Sequence, residues 1–163
     1  MQKLNIIKNI EEAYGGGESM PLTGFGLLMG VFGAGVGAGL YWLNKRERLS
    51  HTPQPNDWFL LALANHKLAW LLATDQVTSP LRAGFTRYEE GAGKGSVKES
   101  PRGQGLQRAV GELVTCPYCT AVWTSAFLTG SFLAFPATTR AVATALSLGV
   151  AADYLHVLWA RTK

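Results

Sequence analysis

Charged residues are scarce in this sequence. They make up 16% of its 163 residues, against roughly 25% in a typical soluble domain. Apolar residues make up 47% and are gathered into blocks, and the mean hydropathy is only +0.08 because the polar stretches 1–20 and 75–115 dilute those blocks. The scarcity of charge and the apolar blocks together indicate a membrane protein of a single domain's length.

Cysteine is scarce as well. Cys116 and Cys119 are the only two, which excludes a small secreted scaffold held together by several disulfides. The net charge of +4 does not indicate a nucleic-acid partner, because the basic residues flank the apolar blocks and form no patch interleaved with aromatic side chains. We therefore expect the lipid bilayer as the partner and no nucleic acid.

A first charge-free run covers residues 21–43. A helix of about 20 residues crosses a hydrocarbon core of about 30 Å, so the run predicts a transmembrane helix between a mobile N-terminal arm (1–20) and a basic, proline-containing linker (44–56). Its small residues recur at the spacing that lets two helices approach closely, which predicts a helix-packing face and a homo-oligomer formed by Gly26, Gly30, Gly33 and Gly37. The alternative is a helix that only tolerates glycine in lipid.

The next apolar segment, 58–74, carries Asn65, His66 and Lys67 at its middle. A lysine in mid-membrane costs about 2.5 to 3.5 kcal/mol on insertion scales. We therefore predict a helix that lies in the membrane interface, with a short spanning helix as the alternative. Segment 89–107 is rich in Gly, Ser, Lys and Glu and predicts a flexible loop.

Two further apolar runs, the uncharged 117–137 and 141–160 with Asp153 and His156 near its end, predict a transmembrane hairpin. The predicted fold is an all-α integral membrane helical bundle of three transmembrane helices plus one interfacial helix, or of four transmembrane helices. Basic residues concentrate in cytoplasmic segments, so we expect a multi-pass protein of the cell membrane with its long loop and C-terminus in the cytoplasm. The basic cluster after the first helix, Lys45, Arg46 and Arg48, is assigned to the same side.

The hairpin brings two pairs of reactive residues to equal depth. Cys116 and Cys119 share a helix face at i, i+3, as do Asp153 and His156. Three interpretations remain open: a dithiol whose thiolates are favoured by the helix N-terminus, a zinc site, or cysteines that only pack at a helix start. The candidate redox pair is therefore Cys116 and Cys119, and the candidate metal ligands are Cys116, Cys119, Asp153 and His156. We expect no cofactor, with zinc as the alternative.

Several short motifs occur in a characteristic order: Thr74-Asp75, then Thr78 to Arg82, Glu112-Leu113, Cys116-Pro-Tyr-Cys119 and Trp123. This order resembles the DUF1360 family of small bacterial membrane proteins, over about 58–160, and defines a DUF1360-like membrane domain at 57–163. The family has no assigned activity, so the resemblance implies an integral membrane protein of bacterial or phage origin. We expect a structural or interaction role more than an enzyme; the alternatives are a thiol-disulfide redox protein and a holin-like pore.

Overall fold

The computed structural model describes residues 11, 13–16, 20–50 and 53–162. The predicted mobile arm, 1–20, lies mostly outside them. Within its described part, the carboxylate of Glu11 accepts hydrogen bonds from the backbone N–H and the hydroxyl of Thr23, both at 2.9 Å. The arm therefore contacts the start of the first long helix through Glu11.

The described chain is mostly helical. Its elements, in order, are α1 (Leu22–Lys45), α2 (Pro55–Thr74), the short α3 (Ser79–Arg82), the strands β1 (Thr86–Gly93) and β2 (Ser96–Pro101), α4 (Gly105–Thr115), α5 (Pro117–Ala134) and α6 (Pro136–Arg161), with 3-10 turns at Arg48–Ser50 and Gln76–Thr78. Among the described residues, α1 and α6 are the helices long and apolar enough to cross a membrane.

Helix α2 is the centre of the bundle. It packs against α5 and α6 more extensively than these two helices pack against each other. The core between the three helices consists of Leu61, Ala64, Leu128, Phe132 and Ala143. Because Ala64 and Ala143 are fully buried and small, the helix backbones approach closely there.

Local sequence explains where α2 begins. Pro55 stands in the first turn, where its missing N–H costs nothing. The carboxylate of Asp57 accepts the backbone N–H of Gln54 at 3.0 Å, which satisfies one of the free donors at the helix start. The helix ends at Thr74, followed by the extended Asp75.

The prediction of a flexible loop over 89–107 is wrong, and the all-α fold class needs the same correction. Strands β1 and β2 pair antiparallel from Thr86 opposite Pro101 to Gly93 opposite Ser96. The glycines that suggested flexibility form the turn, since Gly93 and Gly95 both have φ of +79°, a region that favours glycine. Strands β1 and β2 with this turn are called the hairpin from here on, and the turn is its tip. The tip packs on the end of α2, where the Gln76 N–H donates to the Gly95 carbonyl at 2.9 Å.

Helix α1 lies at the edge of the molecule, and only Gly24 and Leu43 of it are buried. A Cβ on Gly24 would lie 2.7 Å from the Ala109 Cβ, so this glycine allows the first turn of α1 to pack on α4. The predicted packing face is not used within the described part of the chain, because a Cβ on Gly26, Gly30, Gly33 or Gly37 would meet no described atom within 4 Å.

Candidate functional site

The most completely buried polar group among the described residues belongs to Arg82, whose side chain is 2% exposed. Its Nε donates to Glu99 Oε2 at 2.9 Å, and one terminal nitrogen donates to Glu99 Oε1 at 3.2 Å. Such two-point pairing of a guanidinium with a carboxylate is among the stronger polar contacts in proteins. We call Arg82, Glu99, Thr78, Ser79 and Thr86 the arginine clamp.

The remaining donors of Arg82 reach the end of α2. They contact the carbonyls of Leu72 at 2.7 Å and Asp75 at 3.0 Å, and the hydroxyls of Thr78 at 2.7 Å and Ser79 at 3.2 Å. Arg82 thus joins the last turn of α2 to strand β2, which carries Glu99.

The carboxylate of Glu99, 5% exposed, is also held by two hydroxyls, from Ser79 and from Thr86, each at 2.9 Å. Burial opposes ionisation of this carboxyl, but the hydrogen bonds from Arg82, Thr86 and Ser79 outweigh burial and lower the pKa of Glu99 below its ordinary value of 4.5. Glu99 is therefore ionised in the folded protein at neutral pH.

The lowered pKa of Glu99 predicts that acid destabilises the hairpin of β1 and β2. A carboxyl whose pKa is lower in the folded state contributes stability above its unfolded pKa, and that stability is lost as pH falls through the folded value. We expect the thermal unfolding midpoint in detergent to be level above about pH 4.5 and to decline below it. Glu99→Gln should weaken this decline, and an equally steep decline in that variant would contradict the assignment.

Three polar contacts connect α2 to its neighbours at successive depths. At the start of the helices, both carboxylate oxygens of Asp57 accept from Arg140 of α6, at 2.7 and 2.9 Å. In the middle, the Thr124 hydroxyl of α5 donates to Asn65 at 2.5 Å. Further along, the Lys67 ammonium donates to Asp153 of α6 at 2.7 Å. Asp57, Asn65 and Lys67 of α2 thus each have a polar partner on another helix at their own depth.

A polar cleft of about 730 Å³ opens where α2, the hairpin tip and the end of α6 meet. Its lining includes charged or titratable side chains from all three elements: Lys67, Asp75, Lys94, Asp153 and His156. Asp153 and His156 therefore face this cleft and not the cysteines.

Cys116 and Cys119 lie at the start of α5, on another side of the molecule. Both are free thiols, Cys116 half-buried and Cys119 exposed. The Cys119 backbone N–H donates to the Cys116 sulfur at 3.2 Å, so Cys116 occupies the N-cap position. Both line a groove between α1 and α5.

The predicted four-residue zinc site is not formed. Within the described ranges, the structure has no group of three or more His, Cys, Asp or Glu side chains arranged to hold a metal ion. The reason is that the two pairs face different parts of the molecule: Cys116 and Cys119 line the groove beside α1, whereas Asp153 and His156 line the cleft beside the hairpin tip.

The sequence singles out Arg82 as a motif residue but does not show its partners, which are the Asp75 backbone carbonyl and the Glu99 carboxylate. The family motif from Thr78 to Arg82 is explained by the clamp, since Thr78, Ser79 and Arg82 all belong to it. Glu99 carried no signal of its own, because its segment was interpreted as a loop.

Comparison with known proteins agrees with the motif order. A family model described as "Protein of unknown function (DUF1360)" matches residues 60–159. Over 72 residues the chain is 39% identical to "Sporulation protein YjcA" of Bacillus subtilis (strain 168), an alignment that covers 42% of this chain and 61% of that protein. The chain therefore spans less than two thirds of this curated relative.

No solved structure matches the chain, so the comparisons give a family and no template for the fold. The family match extends from the first turns of α2 nearly to the end of α6, and thus covers the arginine clamp, both cysteines and the contacts of Asn65 with Thr124 and of Lys67 with Asp153. Asp57, the partner of Arg140, lies just before the matched range. The match confirms the resemblance drawn from the motifs: the chain belongs to DUF1360, a family of proteins of unknown function.

Proposed function

We propose that this chain is a multi-pass integral membrane protein of a bacterial cell membrane, with a structural or interaction role, in which α1, α2, α5 and α6 all cross the lipid. The observation that carries the proposal is the ion pair between Lys67 and Asp153. An unpaired lysine would hold α2 at the membrane surface, whereas a lysine paired with a carboxylate on an adjacent helix permits α2 to span. The four-helix alternative of the sequence prediction is thereby favoured over an interfacial α2.

The ends of the helices agree with this topology. The starts of α2 and α6 meet through Asp57 and Arg140, and the start of α1 packs on α4 through Gly24. In the proposed topology the hairpin, α4, the start of α1 and the end of α6 share one side of the membrane. The turn between α5 and α6 and the linker after α1 share the other.

The distribution of basic residues gives the orientation. Seven described basic residues belong to the hairpin side: Arg82, Arg87, Lys94, Lys98, Arg102, Arg108 and Arg161. Four belong to the opposite side: Lys45, Arg46, Arg48 and Arg140. Because positive charge concentrates on the cytoplasmic side, we propose that the hairpin and the C-terminal end of α6 are cytoplasmic. The basic cluster after α1 is then external, on the side opposite to the one assigned from the sequence.

The proposed interaction is self-association through the glycine face of α1 (Gly26, Gly30, Gly33 and Gly37). At 100° per residue, this face points away from the side of α1 that lines the groove against α5, which includes Phe32 and Gly39. Among the residues that the structure describes, nothing covers this face, so a second helix can approach it without displacing any of them.

Self-association predicts a specific variant effect. We expect the wild-type protein in detergent to have the mass of an oligomer by size-exclusion chromatography with light scattering, and Gly30→Leu/Gly33→Leu to be a monomer, because leucine side chains keep the helices apart. Ala38→Leu, at an exposed residue of the same helix away from this face, should leave the oligomer unchanged. A double variant that keeps the oligomer mass would contradict the interaction, and a wild-type protein monodisperse in plain buffer would contradict membrane insertion.

The biological setting proposed for this role is sporulation. The curated relative is named a sporulation protein, and its similarity to this chain lies within the family to which the chain belongs. We propose that the chain acts during spore formation as a component of a membrane.

A second candidate function is thiol–disulfide chemistry at Cys116 and Cys119. It is favoured by the hydrogen bond from the Cys119 N–H to the Cys116 sulfur, which fixes that sulfur at the N-terminus of α5 within one helical turn of the second thiol. The two cysteines lie in the first turn of α5 at i, i+3, a spacing compatible with disulfide closure.

A further inference from the structure

The two cysteines form part of the wall of an apolar groove between α1 and α5. This cysteine groove has a volume of about 610 Å³, and its remaining lining is dominated by aromatic and aliphatic side chains, among them Phe25, Met29, Phe32, Leu113, Val122 and Trp123. The Phe32 and Trp123 rings close one end, with centroids 5.0 Å apart. A flat, apolar ligand can therefore lie within reach of both sulfur atoms.

The lining limits the kind of oxidant that the thiols can meet. Glu112 is the one charged side chain among the lining residues, and it is held by Arg108 at 2.9 Å. A soluble oxidant such as a glutathione disulfide brings several charges, and the cysteine groove offers no basic lining residue to pair with its carboxylates. Apolar walls with a few polar groups are instead typical of sites for apolar cofactors.

We propose that the cysteine groove binds a membrane quinone and that Cys116 and Cys119 reduce it. In this reaction the S–H bonds of both cysteines break and one S–S bond forms between their sulfur atoms. The two electrons and two protons pass to the two carbonyl oxygens of the quinone, which becomes a quinol. This inference rests on the second candidate function, because it needs a thiol pair that can close a disulfide.

The geometry assigns different tasks to the two thiols. Cys116, at the N-cap position, has the sulfur that accepts a backbone N–H, so in the proposed reaction this sulfur adds to a ring carbon of the quinone; its S–H bond breaks, an S–C bond forms, and the proton passes to one quinone oxygen. Cys119, one turn further along the same groove wall, then attacks the Cys116 sulfur. The S–S bond forms, the S–C bond breaks, and the Cys119 proton passes to the second oxygen as the quinol leaves. The disulfide state of the pair would then report the oxidation state of the quinone pool.

The test uses the full-length protein, reduced and free of oxygen, in detergent. A fully ring-substituted benzoquinone with a decyl chain is added, free thiols are counted by a gel shift with a maleimide polymer, and the quinol is followed by absorbance. We expect one quinol per disulfide, and no reaction in Cys116→Ser. Val122→Trp, which fills the cysteine groove, should slow oxidation by the quinone at least tenfold while leaving oxidation by water-soluble diamide unchanged.

Val142→Trp is the matched control, because Val142 is about as exposed as Val122, at 51% and 54%, but lies on α6; it should react like the wild type. Failure of diamide to form the disulfide in the wild type would overturn both the thiol function and the quinone inference. A disulfide that forms with diamide, but with the quinone at equal rates in the wild type and Val122→Trp, would overturn the quinone inference alone.

Discussion

Replacing Arg82 with methionine is expected to destabilise the protein by about 3–5 kcal/mol, the cost of breaking a buried ion pair by removing one partner. The variant leaves the Glu99 carboxylate, 5% exposed, without its main partner. It also removes the hydrogen bonds to the carbonyls of Leu72 and Asp75. The hairpin should then separate from the end of α2.

Chemical unfolding in detergent, followed by tryptophan fluorescence, measures this effect, and limited proteolysis within 86–101 locates it. The matched control is Lys98→Met on the same hairpin, since the pair of Lys98 with Glu90 is 62% and 66% exposed and such surface pairs contribute about 0–1 kcal/mol. The double variant Arg82→Met/Glu99→Met should recover much of the loss, because it leaves no buried charge. An Arg82→Met variant as stable as the Lys98→Met control would show that the arginine clamp does not hold the hairpin.

Replacing Asp153 with leucine should have the second-largest effect, and its size depends on the solvent around the helices. In lipid, Lys67 would lose its partner and the cost should approach the roughly 2.5–3.5 kcal/mol of an uncompensated lysine at the centre of a spanning helix. In water, where 59% of the Asp153 side chain would be accessible, the pair would contribute about 0–1 kcal/mol. The variant therefore distinguishes lipid from water as the surroundings of α6.

The second half of that experiment is the double variant Lys67→Met/Asp153→Leu. With both charges removed, we expect its free energy of unfolding in lipid to return close to the wild-type value. Steric damage is controlled by Leu148→Met, a change at a 65% exposed residue of the same helix, which should be neutral. A double variant that remains as unstable as Asp153→Leu would mean that the loss came from packing and not from the unpaired lysine.

The features that the sequence predicted correctly are those that depend on one segment of the chain, and the features that it missed depend on contacts between distant segments. The long apolar runs predicted helices where α1, α5 and α6 are found, because such a run is visible within one segment. The partner of Lys67 is 86 residues away in the chain, and a single sequence gives no sign of that contact. The prediction that α2 lies in the membrane interface depended on the charge of Lys67, and the sequence does not show that Asp153 pairs with it.

The hairpin was missed for a different reason. Its sequence, polar and glycine-rich, has the composition of a flexible loop, and its strands show almost no burial alternation, since β1 is exposed at every position after Thr86. Tertiary contacts order the hairpin: Glu99 pairs with Arg82, and the tip packs on Gln76. Composition therefore predicted a flexible loop where the structure has two paired strands.

The candidate zinc site was predicted from the depth of its residues in the membrane, and equal depth alone does not bring side chains together. A transmembrane hairpin fixes which residues of its two helices lie at the same depth, and this is why Cys119 and His156 were predicted to lie level with each other. It does not fix the rotation of each helix or the presence of a third helix between them. Here α2 packs against both helices, the cysteines face the α1 side, and His156 faces the hairpin tip.

The central claim, that α2 crosses the membrane, is tested most directly by the sidedness of two single cysteines in a Cys116→Ser/Cys119→Ser background. One is Ser50→Cys, in the linker before α2; the other is Lys98→Cys, on the hairpin after it. We predict that an impermeant maleimide labels Ser50→Cys in intact cells and Lys98→Cys only after the membrane is opened. Labelling of both residues from the same side would contradict the four-helix topology.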